Sequence, residues 1–132
     1  MTTQLDSIVL SDDLEWTDEF TWLPTAQQVE IACSGAVIVE ESAQLAGRPI
    51  TLQGRMEGNV GFALMPRATV IALRALAATP RSTPMTLTLA DGRTFSVLFR
   101  HADGAVEAQA MRHIVPHLDT DWYAVTLRLM QV

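Results

Sequence analysis

His113, His117, Asp119 and Asp121, with His101 upstream, are of the residue types that hold a transition metal. Two histidines four positions apart converge on one ion when a helix carries them, but Pro116 stands between these two, where the chain reads as a strand leaving into a loop. They read as polar loop residues, and no metal is expected. Cys33 with a histidine would supply a nucleophile and its base. It continues the alternation of Val29 and Ile31, however, and reads as a buried structural thiol. The carboxylates Asp12, Asp13, Glu15, Asp18 and Glu19 are dense enough for acid–base or calcium chemistry. They lack the glycine that a calcium loop needs at its sixth position, and Trp16 interrupts the run, so the segment reads as solvated acid. The series Gly54, Gly58, Gly61 has no Gly-Lys-Ser/Thr ending to cradle a phosphate, and no serine stands in a Gly-x-Ser-x-Gly elbow. An enzyme needs a constellation, and none of these groups makes one: no catalytic residue and no cofactor are expected.

The chemistry that remains is recognition. Residues 1–47 hold nine carboxylates and no Lys or Arg, whereas the rest of the chain carries nine Arg against six acids, with no Lys anywhere. Arginine is well suited to interface ion pairs, so this split suits a head-to-tail contact between copies. Trp16, Phe20 and Trp22 lie among the acids, and tryptophan is enriched at interface hot spots. They either anchor on a neighbouring subunit or close one end of the domain's own barrel. On the first alternative, Trp16, Asp18, Glu19, Phe20 and Trp22 form the interface, with the carboxylates near a neighbour's Arg. With a pI near 4.8, neither nucleic acid nor an anionic membrane is an expected partner.

The elements that must position these residues are mostly strands. Residues 1–26 read as an acidic arm or long ordered loop ahead of a body spanning 27–132. From Gln27, Val29, Ile31 and Cys33 alternate with polar residues, and Ser34-Gly35 turns the chain into a second strand over 36–41, a hairpin with Gly35 at positive φ. A strand over 48–54 turns Ile50 and Leu52 inward, with Pro49 at its start. Residues 54–65 read as a loop or irregular crossing. Pro66–Ala78 is the one helix, with Val70, Leu73, Leu76 and Ala77 on one face and Pro66 at the first helical position.

The next hairpin has an arguable register. A two-residue Asp91-Gly92 loop would send Leu87 and Phe95 to opposite faces. A three-residue Ala90-Asp91-Gly92 loop with Gly92 left-handed pairs Leu87 with Phe95 and Met85 with Val97. Strands over 106–113 and 122–130 complete the set, the last with Tyr123, Val125, Leu127 and Leu129 inward. The fold class is mainly β: a six- or seven-stranded antiparallel sandwich or small barrel with one flanking helix.

A length of 132 residues with 48% hydrophobic and 18% charged residues supports one globular domain that needs no disulfide staples. A lone cysteine fits a reducing compartment, and the first residues lack the basic and apolar regions of a secretory signal, so synthesis in the cytoplasm is expected.

At Gly47-Arg48-Pro49-Ile50-Thr51-Leu52-Gln53-Gly54, at the helix and hairpin over 68–99, and at Asp121-Trp122-Tyr123-Ala124-Val125-Thr126-Leu127-Arg128-Leu129, the chain resembles small tail or baseplate proteins of tailed bacteriophages, of the distal-tail or tail-tube type. The resemblance implies a β-barrel or sandwich with one flanking helix, a non-enzymatic role, and a homo-oligomeric ring, commonly hexameric, at the distal tail or baseplate of a virion. Other tail proteins would be its partners. The chain is too short for the peripheral domain that distal tail proteins often carry. The alternative from a different class is a monomeric cytoplasmic ligand-binding or small enzymatic β-barrel with its site in the mouth.

Overall fold

A computed structural model describes residues 2–57 and 60–132, so Gly58, the middle glycine of the series considered above, lies outside the described residues. The fold is mainly β, 46% strand and 12% helix, and sandwich-like with no closed barrel. The described strands are β1 (Gln4–Leu5), β2 (Ile8–Val9), β3 (Glu15–Trp16), β4 (Thr25–Ile31), β5 (Val37–Ala43), β6 (Pro49–Gln53), β7 (Arg55–Glu57), β8 (Val60–Phe62), β9 (Leu64–Pro66), β10 (Met85–Thr88), β11 (Thr94–Phe99), β12 (Val106–Ala110) and β13 (Trp122–Gln131). The helix α1 spans Arg67–Ala78, and a short 3-10 turn covers His101–Asp103. More strands form than the sequence pattern suggests, because several are bridges of two or three residues made by distant partners.

β13 organises the main sheet, with neighbours along both of its edges. It pairs antiparallel with β6 through Thr126–Met130 and with β9 through Trp122–Ala124. It also pairs with β11 through Leu129–Gln131 and with β12 through Tyr123–Leu127. Because the β6 pairing overlaps those of both β11 and β12, β6 lies on the opposite edge of β13 from them. Each half of the long strand thus feeds a different set of neighbours, and the sheet folds over one core. Tyr123, Val125, Leu127 and Leu129 point into it, as their alternation predicts, and meet Ile50 and Leu52 of β6. Gly54 continues β6 with its N–H donating to the Val125 carbonyl at 2.8 Å. A Cβ there would lie 2.9 Å from the Ala63 carbonyl oxygen and 3.1 Å from that of Phe62, so the close approach admits only glycine.

The 85–99 hairpin has the register that its apolar faces require. Met85 opposes Val97 and Leu87 opposes Phe95, the Leu89 N–H donates to the Arg93 carbonyl, and Gly92 has φ +95°. One more or one fewer loop residue would have turned Phe95, Val97 and Phe99 away from the core.

The arm reading of residues 1–26 is corrected for its first part. β1 pairs with β10, placing Leu5 opposite Leu87, and Leu5 and Leu10 are core residues. Asp6, at φ +50°, makes the tight turn from β1 to β2 and accepts the Thr86 N–H on its carboxylate at 2.8 Å. β3 pairs with β6, Trp16 opposite Leu52. Within 54–65, read as a loop or irregular crossing, β7 pairs antiparallel with β8 and β9 follows, so the described residues there are mostly strand. Pro66 is not the first helical residue but the extended residue that precedes it, at φ −65° and ψ 153°. The helix packs its Leu73 side on the core, with Val70, Leu76 and Ala77 partly buried, as its apolar stripe demands. β12 ends at Ala110, short of His113; the Met111 N–H makes one more cross-strand bond, to the Trp122 carbonyl at 3.0 Å, before the loop that holds Pro116.

Candidate functional site

Asp12, Glu15, Asp18 and Glu19 are fastened to their own domain, Asp12 accepting the Thr3 N–H at 2.7 Å. Asp18 accepts the Thr51 backbone N–H at 2.9 Å and the Thr51 hydroxyl at 2.8 Å, with the Arg100 guanidinium 3.9 Å away. Glu19 pairs with Arg93 at 2.7 Å, and Glu15 with Arg55 at 3.3 Å. Trp16 packs edge-on against Phe95, ring centroids 5.5 Å apart, with the guanidinium carbons of Arg48 at 4.6 Å and Arg93 at 5.4 Å from its ring centre. Arginines that the charge split offered to a neighbour therefore meet carboxylates of the same chain. Of the predicted interface residues, Trp16, Asp18 and Glu19 are engaged within the fold, Trp22 is half-buried, and Phe20 stands free at 88% exposure.

At the turn of the 85–99 hairpin, Asp91 accepts the Arg93 N–H at 3.0 Å and Arg93 Nε at 2.7 Å. The backbone bond, then the side-chain bond and the charge of Arg93, outweigh desolvation and hold the Asp91 carboxyl below its ordinary value of 3.8. The Arg93 guanidinium is pushed up by its bonds to Glu19 and Asp91. A lowered carboxyl pKa contributes stability that is complete above the ordinary value and is lost as pH falls through the lowered one. A carbon-detected NMR titration is expected to place the Asp91 midpoint below 3.8, and Arg93→Ala to return it towards that value. A wild-type midpoint at or above 3.8 would contradict the geometry.

The histidines do not gather. Asp121, buried, accepts the Leu118 N–H at 2.9 Å and lies 3.7 Å from His117 Nδ1, so it ties down the 112–121 loop, while His113 is exposed. His101 sits against Phe99 on the 3-10 turn. Among the described residues, no three His, Cys, Asp or Glu side chains converge as metal ligands would.

The reading of Cys33 as a buried strand residue is corrected: it is exposed, in the turn between β4 and β5. The hairpin itself forms with Gly35 at φ +85°, yet every residue of both strands is exposed. Cross-strand partners share a face, so Val29 with Val39 and Ile31 with Val37 make one apolar face, bounded towards the base by Gln27 and Glu41. Those four side chains are 55%, 51%, 75% and 62% exposed. The other face carries Gln28, Glu30, Ile38, Glu40 and Ser42. Glu30, Glu40 and Glu41 have no Arg partner among the described residues, in contrast to the clamped carboxylates of 15–19. The exposed face of Val29, Ile31, Val37 and Val39 is a candidate interaction feature that sequence reasoning placed inward. Its only distinguishing signal was that its strands lie wholly within the stretch devoid of Arg.

No family model matches the chain, and neither a curated protein nor a solved structure is significantly similar to it.

Proposed function

We propose that the chain is a non-enzymatic structural subunit that assembles with copies of itself into a ring, at the distal tail or baseplate of a tailed bacteriophage. The observation that carries the assembly is the β4–β5 hairpin, whose four β-branched side chains form a continuous apolar face in water. Contiguous apolar patches of this kind mark interaction surfaces, and a two-stranded ribbon is marginal until something packs on it. The phage assignment rests on the resemblance at residues 47–54, 68–99 and 121–129, the segments that build the sheet around β13 and the helix beside it.

Light scattering on the purified chain is expected to give a mass several times 14.5 kDa. The triple variant Val29→Thr, Ile31→Thr, Val39→Thr keeps β propensity while removing apolar surface. It should weaken self-association by at least about tenfold, since each lost methyl-sized group contributes up to roughly 0.8 kcal/mol. Its unfolding midpoint should be unchanged. A wild-type monomer up to millimolar concentration would refute the assembly. Imaging of particles carrying a tagged copy tests the location, and a chain absent from purified tails overturns the phage assignment.

A further inference from the structure

The hairpin's own dimensions restrict what can cover it. Seven residues per strand at about 3.3 Å rise, two strands wide, offer a face of only a few hundred Å2, against roughly 800 Å2 per partner in a standard interface. Two hairpins stacked face to face would therefore be too small a contact. A partner that receives the hairpin on its body would also gain area from the surrounding surfaces.

The body carries a receptor of matching character. Between the C-terminal end of α1 and strands β10, β11 and β13 lies an open groove of about 500 Å3, its floor formed by Met85, Leu98, Phe99 and Met130 and its wall by Ala78 and Pro80. Arg81 and His101 line the groove, and Arg74 stands one helical turn before Ala78 on the same face of α1. Arg74 is exposed and has no ion pair among the described residues, and Arg81 has only a 3.5 Å contact to Asp6. Glu41 on the hairpin's apolar face and Arg74 beside the groove are thus charges of opposite sign on the two apolar surfaces, neither with an ion pair among the described residues.

We propose that the apolar face of the β4–β5 hairpin of one copy seats in this groove of a second copy, with Glu41, which lies on that same face next to Val39, in reach of Arg74 and Arg81 at the margin. This rests on the reading of the chain as a self-assembling subunit. Donor and receptor are different surfaces, so each copy gives one hairpin and receives one. A contact of that type closes into a ring, of which two copies exchanging hairpins is the smallest, or continues as a filament. Apolar burial supplies the adhesion, and the charges set partner and register.

Cys33 is the sole cysteine and sits at the hairpin turn, so it is a ready-made reporter. Thr79→Cys places a second thiol in the groove, and Ala108→Cys places one on exposed β12, which pairs with the other half of β13. Treatment of each full-length variant with a short bismaleimide is expected to give a ladder of covalent multimers for Thr79→Cys, none for Ala108→Cys, and none for Thr79→Cys combined with Cys33→Ser. Arg74→Glu should weaken association about fivefold, the share of one rim ion pair, and Glu41→Arg in the same chain should restore it. If the protein is oligomeric by light scattering yet Thr79→Cys gives no ladder, or the ladder appears with Ala108→Cys, the groove is not the receptor and the subunit reading survives. If the protein is a monomer throughout, both fall together.

Discussion

Leu127→Ala is expected to remove about 3–5 kcal/mol of unfolding free energy, a large part of the roughly 5–15 kcal/mol that a domain has. Leu127 is fully buried, and its strand is paired on both edges at this residue, opposite Leu52 of β6 and Val106 of β12. Neither neighbour can move into the space without breaking its own ladder, so the cavity stays open. That places the substitution at the costly end of its kind. Thermal unfolding followed by circular dichroism should show a fall of around 10 °C or more, given a few degrees per kcal/mol for a chain of this size. Leu45→Ala, at a side chain 95% exposed, should change the midpoint hardly at all. Equal losses at the two positions would mean that the core does not lie along β13.

The second large effect separates the two roles that the aromatic residues of the acidic segment can have. Trp16→Ala is expected to cost roughly 3 kcal/mol in the isolated protein, the low end for loss of such a ring because Trp16 is only half-buried. The loss comprises the edge-on contact with Phe95 and the stacking of Arg48 and Arg93. Arg93 would also lose a surface that helps to hold it against Glu19. Phe20→Ala, by contrast, should leave stability within about 0.5 kcal/mol. Urea unfolding at constant m-value measures both. A Trp16→Ala variant as stable as the parent, but defective in assembly, would return Trp16 to the interface and remove it from the fold.

Much of the body is legible from periodicity alone. Tyr123, Val125, Leu127 and Leu129 alternate into the core, Ile50 and Leu52 do the same, and the Leu73 stripe of α1 faces the sheet. The 85–99 register follows from requiring both apolar sets on one side, which leaves a single loop length with glycine at the left-handed position. These features are local, and the spacing of neighbouring residues specifies them. The bridges of β1, β2 and β3 are not, for a pair of residues has no period. Leu5 opposite Leu87 and Trp16 opposite Leu52 are set by partners about 80 and 36 positions away.

The hairpin shows the limit most sharply. Val29 and Ile31 alternate as regularly as Leu87 and Leu89, and the alternation does establish which side chains share a face. Whether that face is covered depends on whether other parts of the chain reach it. Burial requires a second surface, and only the tertiary structure shows that Leu87 has one while Val29 does not. The same holds for charge. Residue order sets nine acids ahead of every arginine, but the folded chain brings Arg93 to Glu19 and Arg100 to Asp18, while the hairpin carboxylates and Arg74 are among the charges without an ion pair in the described residues. Coulomb attraction acts on distances in space, and separation along the chain does not specify them.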